Sequence, residues 1–123
     1  FLVLYFLGLT ACLGVWFFFK CNRIYCLVCS FGYFNNIYHD NKGYCYRIKK
    51  YLTCNSVGGI YVILCNICGL MYIGETHSFT RIRILQHIND IKNNRSTPTA
   101  NHFNNNNHTI NNFSFLIIDT CIN

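Results

Sequence analysis

The sequence predicts a small α/β domain of the α+β kind, an antiparallel sheet flanked by helices, preceded by a cysteine-rich segment and an apolar N-terminal segment. Three observations lead there. Two β-branched and aromatic runs, "IYVILC" at 60–65 and "LMYIG" at 70–74, are each bounded by glycine. The stretch after them, "SFTRIRILQHINDIKNN", switches to a helical period. A third apolar run, "FSFLIID" at 113–119, follows an asparagine-rich loop and supplies a further strand. With 123 residues the chain is one domain's worth, near the size at which metals or other staples begin to matter.

The first element is "FLVLYFLGLTACLGVWFFF", 19 uncharged, mostly apolar residues ended by Lys20. That length just spans a hydrocarbon core of about 30 Å. It lacks the basic start and the small-residue cleavage site of a signal peptide, and it begins with Phe, so the start reads as truncated. Three readings of residues 1–19 stay open: a transmembrane helix, a buried strand or helix, and translated sequence lying upstream of the domain proper.

Residues 20–56 form the cysteine-rich segment. Nine cysteines is heavy usage, and an odd count rules out complete internal disulfide pairing. Cys26 and Cys29 make one CxxC, Cys21 lies five residues earlier, Cys54 follows in "LTCNS", and Cys65 and Cys68 make a second CxxC closed by Gly69. A CxxC turn aims two thiolates at one ion, and four sulfurs satisfy tetrahedral Zn²⁺. Disulfides and scattered buried thiols remain the competing readings. Spacing alone does not say which four of Cys21, Cys26, Cys29, Cys54, Cys65 and Cys68 share an ion. Cys12, Cys45 and Cys121 have no spacing partner.

Residues 57–123 hold the sheet and helices. The short connector "NIC" and Gly69 make an antiparallel hairpin of the first two strands the economical arrangement, with the second CxxC at its tip. In the helix, Ile82, Leu85, Ile88 and Ile91 recur at three-residue steps with Ile84 on the same broad face. Ser78 is the expected cap and Asn93-Asn94 the expected end. Arg83 and His87, four apart, share a polar stripe with Asp90, while Arg81 falls within the apolar arc. The loop "RSTPTANHFNNNNHTINN" has room for one helical turn near "ANHF".

Ten Lys and Arg against four acids, all beyond residue 19, give a net charge of +6. That balance suits an anionic partner such as nucleic acid, and it is equally common on ordinary soluble domains. Glu75 is the only glutamate, and the other carboxylates are Asp40, Asp90 and Asp119, so a mechanism that needs paired acids has little to draw on.

Gly59-Ile60-Tyr61 and Tyr72-Ile73-Gly74 resemble the paired signature of the GIY-YIG endonuclease family. The fuller string "YRIKKYLTCNSVGGIYVILCNICGLMYIGET", followed by Arg83 to His87, Pro98, His102-Phe103 and "FSFLIID", is similar to the form carried by Penelope-like retroelements. The upstream "FKCNRIYCLVC" resembles that subgroup's cysteine cluster, with a two-residue insertion between its first two cysteines. The resemblance runs from about residue 14 to residue 120.

The resemblance implies a three-stranded antiparallel sheet flanked by helices and metal-dependent nicking of DNA by phosphodiester hydrolysis. It implies Tyr61 as general base or water-positioning group, Tyr72 in the same cleft, Gly59 and Gly74 as motif glycines, and Arg83, with Arg81 as its rival, as the cation facing the phosphate. It implies His87 for proton transfer or phosphate contact, and DNA contacts at Arg81, Arg83 and Lys92. Both tyrosines also read as strand aromatics packed in a core.

The family's cofactor is Mg²⁺ or Mn²⁺, held by a glutamate on a helix past the third strand, and no glutamate follows Glu75 here. The expectation is therefore an incomplete or inactive copy of the nuclease. Its partners would be DNA and, in an intact gene, a reverse transcriptase domain, and its place the nucleus. Two other readings stand beside it: a non-catalytic, zinc-stabilised nucleic-acid-binding relic, and a protein anchored in a membrane through residues 1–19.

Overall fold

The structure, a computed structural model, describes residues 16–39, 42–105 and 107–121. Strand β3, Gly59–Cys65, lies at the centre of a three-stranded antiparallel sheet, with β4, Met71–Glu75, on one side and β5, Phe113–Thr120, on the other. Glycine boundaries and a β-branched interior make β3 a strand, and its burial follows from its central place: Tyr61, Val62 and Ile63 are all buried. The β3–β4 hairpin turns through Asn66–Gly69, where Gly69 takes a φ of +73° that a residue with a Cβ rarely adopts. The expected hairpin, third strand and second CxxC at the hairpin tip are all observed.

Register explains why the two tripeptides sit where they do. Tyr61 pairs with Gly74 across the ladder, and Ile63 pairs with Tyr72. The Tyr61 ring lies over Gly74 so closely that a Cβ there would come within 2.5 Å of the phenol carbon and oxygen. On the other side, β5 pairs Ile60 with Asp119 and Tyr61 with Ile117, so Ile118 is the extra residue of a β-bulge.

Helix α1, Thr80–Lys92, packs on the sheet through Thr80, Ile84, His87, Ile88 and Ile91. Two sequence expectations are corrected here. Ile82 is exposed, because three-residue steps drift by about 60° each against a period of 3.6, so Ile82 and Ile91 end on opposite sides. Ser78 does not cap the helix; Phe79 holds the cap position without a side-chain bond, and the free N–H groups of Thr80 and Arg81 go to the carbonyls of Ser56 and Cys54, at 2.9 and 2.7 Å. The end at Asn93 is as expected. Helix α2, Pro98–Phe103, realises the helical turn expected near "ANHF", with Pro98 in its first turn and the Thr97 side chain accepting from Ala100 N–H.

A small hairpin, β1 Ile37–His39 with β2 Cys45–Arg47, precedes the sheet. The cysteine-rich segment docks on β5: Tyr33 N–H donates to Phe115 O at 2.7 Å, and Gly32 bridges Phe115 in parallel fashion, which covers that sheet edge. Lys50 and Tyr46 reach Asp119 at 2.9 and 2.8 Å and fasten the far end of the same strand. One buried core runs through both parts, from Phe18, Val28 and Leu52 to Tyr61, Ile84 and Leu116.

Of the apolar N-terminal segment, residues 1–15, and with them Cys12, lie outside the described residues. Phe18 is fully buried, with ring centroids 4.8 Å from Phe34 and 5.3 Å from Phe115. Among the described residues no helix is long and apolar enough to cross a membrane.

Candidate functional site

Tyr61, buried at the centre of β3, points its hydroxyl toward α1. His87 Nε2 lies 2.9 Å from that oxygen, and Arg83 Nε donates to it at 3.4 Å. His87 Nδ1 is 3.2 Å from Thr99 Oγ1 at the start of α2, so the imidazole is held at both nitrogens. Tyr72 closes the group with its ring centroid 5.9 Å from that of His87. Strand, hairpin and helix thus bring together four residues from the two tripeptides and the helix stripe: Tyr61, Tyr72, Arg83 and His87.

Tyr72, Arg83 and His87 border a cleft of about 450 Å³ lined also by Gln86, Asp90 and Thr99, among others, while Tyr61 lies behind them, fully buried. Burial lowers the His87 pKa to about 4, with the Arg83 charge acting in the same direction. The ring is neutral at pH 7 and so has a lone pair for a proton. Burial raises the Tyr61 pKa, and Arg83 opposes that rise. A neutral phenol beside a neutral imidazole and a fixed cation can bind an anion and pass a proton between oxygen and nitrogen.

Arg81 is elsewhere. Its Nη2 donates to Cys26 Sγ at 3.6 Å, on the other flank of α1 from the Arg83–Tyr61 contact. Lys92 is exposed in the last turn of α1, where a cation meets the negative end of the helix. Gly59 is packed against the Thr80 side chain, and its N–H donates to Thr80 Oγ1 at 3.1 Å.

The four cysteines Cys21, Cys26, Cys29 and Cys54 converge, with all sulfurs within 4.8 Å of one another, and can hold a metal ion such as zinc. The Cys26–Cys54, Cys29–Cys54 and Cys21–Cys29 separations are 3.9, 3.8 and 3.7 Å. Tetrahedral Zn²⁺ with Zn–S of about 2.3 Å requires sulfurs about 3.8 Å apart, so the sulfurs fit that ion. Burial would raise the Cys26 pKa, but the Cys29 N–H, Arg81 and the neighbouring thiols bring it down to about 6. Burial pushes Cys29 up to about 11 and Cys54 up as well.

A second cluster joins Cys65 and Cys68 to His102 and His108. Cys68 Sγ lies 3.5 Å from His102 Nε2. His108 Nδ1 is 3.0 Å from Asn105 O, a carbonyl that can only accept, so Nδ1 carries the hydrogen. That leaves Nε2 as a bare lone pair, buried without a partner, which is the tautomer a metal needs. Neither histidine was read as a ligand in the sequence, where they stand among asparagines and His102 figured only in the His102-Phe103 pair. Their H-x₅-H spacing downstream of a CxxC was the available signal.

The cleft's own side chains offer little to Mg²⁺ or Mn²⁺. Asp90 is its one carboxylate, and no group of three ligating side chains forms there among the described residues. Asp119, on β5, is already engaged by Lys50 and Tyr46. Comparison of the chain with family models, with curated proteins and with solved structures finds no match to any of the three.

Proposed function

We propose that the cleft binds a phosphodiester of DNA and that the chain is a nuclease domain of GIY-YIG type. The observation that carries this reading is the buried Tyr61 hydroxyl held by Arg83 and His87, two side chains that themselves line an open cleft. In this reading the Arg83 guanidinium takes a non-bridging phosphate oxygen, a geometry that a planar fork of donors suits. As the phosphate draws Arg83 from Tyr61, the freed Tyr61 oxygen orients the attacking water. A P–O bond to that water forms as the P–O bond to the leaving sugar oxygen breaks; the water's proton passes to neutral His87, and the leaving oxygen takes a proton from solvent. Thr99 keeps the imidazole turned toward Tyr61. The net charge of +6 favours the polyanion.

A second reading is favoured by one observation, the scarcity of carboxylates at the cleft: nucleic acid is bound there and not cut. Nicking of supercoiled plasmid by the full chain, with and without added Mg²⁺ or Mn²⁺, separates the two. Under the nuclease reading nicking is expected to fall by roughly 10²- to 10⁴-fold in His87→Gln, and also in Tyr61→Phe. Absence of nicking by a folded chain that still binds DNA, with affinity falling steeply in salt, would leave the binding reading.

A further inference from the structure

Arg81 lies against the four-cysteine cluster in a way that the cleft does not explain. Its Nη2 donates to Cys26 Sγ at 3.6 Å, and its Nε is buried with no hydrogen-bond partner. No carboxylate among the described residues pairs with it. A guanidinium keeps its charge at any physiological pH, so a cation is held against the cluster at Cys26 and Cys54. Sulfurs held as thiolates compensate that charge, whereas neutral thiols would not. Four thiolates around one divalent ion carry a net double negative charge and would compensate it.

The backbone ties the same two elements together. Arg81 N–H donates to Cys54 O at 2.7 Å, and Thr80 N–H to Ser56 O at 2.9 Å. The uncapped first turn of α1 is therefore anchored on the segment that supplies one of the four sulfurs. Two residues further on, Arg83 faces the opposite way, to Tyr61.

We infer that Arg81 is the counter-cation of a four-thiolate divalent metal centre at Cys21, Cys26, Cys29 and Cys54, and that it locks the first turn of α1 to that centre. It is a positioning residue, neither a metal ligand nor part of the cleft. This role rests on the metal reading of the cysteine cluster and is independent of any phosphodiester chemistry.

The test is metal affinity. The metal-free full chain is titrated with Co²⁺, whose sulfur-to-metal charge-transfer band is stronger per ion for four thiolates than for the two at Cys65 and Cys68, and Zn²⁺ is then added in competition with a chelator. Arg81→Gln is expected to weaken Zn²⁺ at the four-thiolate centre by roughly 10- to 100-fold. Arg81→Lys, which keeps the charge, should stay within about ten-fold of the native chain, and Arg83→Gln should leave this centre unchanged. Native affinity in Arg81→Gln, or an equal loss in Arg83→Gln, would overturn the assignment. If Arg81→Gln does not fold, a loss beyond ten-fold in Arg81→Lys overturns it, and a native chain with no four-thiolate band removes the centre and the role together.

Discussion

His87 is neutral inside the fold, and that has a cost that depends on pH. Its pKa is lowered by burial from 6.5 to about 4, so between those values the unfolded chain takes up a proton that the folded chain refuses. Stability contributed by the neutral ring is complete above about pH 6.5 and is lost as pH falls toward about 4. The loss should amount to roughly 3–3.5 kcal/mol in full. Urea midpoints at both ends of that window check it, and His87→Gln should lack this component, which separates it from the protonation of cysteines. At Gly74 a Cβ would collide with the buried Tyr61 ring. Gly74→Ala should therefore destabilise by about 1–3 kcal/mol, read from the denaturation midpoint, by forcing an overpacked ring to move. Both tripeptides were plain in the sequence. That their Tyr61 and Gly74 face each other was not, since register depends on where the hairpin turns.

Helix α1 carries Arg81 toward the cysteines and Arg83 and His87 toward the cleft, so the setting of its first turn matters to both. Thr80 does much of that setting. Its hydroxyl donates to Ser56 O at 2.7 Å and accepts from Gly59 N–H at 3.1 Å, and the side chain is fully buried. Thr80→Val keeps the shape and removes both bonds, leaving the Gly59 amide without this partner and Ser56 O with the Thr80 N–H alone. A loss of roughly 1–3 kcal/mol is expected, with faster amide exchange at Arg81 as the local readout. The helix itself was legible from its period, and its length was nearly right. Its buried face was not, because Ile82 follows the three-residue steps yet faces solvent, while His87 and Thr80 are inside. A buried polar residue is chosen by the partner that meets it, and neither Tyr61 nor Ser56 is near in sequence.

At the scale of the whole molecule, two ligand clusters sit at opposite ends of the sheet's support: Cys21, Cys26, Cys29 and Cys54 beneath the first turn of α1, and Cys65, Cys68, His102 and His108 between the hairpin tip and α2. Each joins segments far apart in the chain, so an ion there closes a long loop and its binding energy becomes folding energy. Chelation is expected to lower the melting temperature sharply, and restoration of Zn²⁺ to recover it. His108→Ala should lower the bound metal by about one equivalent by elemental analysis, leaving the four-cysteine centre filled. Local pattern determined the elements of this protein: glycine-bounded β-branched runs made the strands, a 3.6-residue period made the helix, and CxxC spacing marked sulfurs fit for a metal. Only the tertiary structure decided which of them meet. It sent Arg81 to the cysteines and Arg83 to Tyr61, engaged Asp119 with Lys50 and Tyr46, and added His102 and His108 to the second CxxC. The physical reason is that periodicity constrains a residue's face, whereas partners across a core are selected by register, packing and charge between segments that the sequence keeps apart.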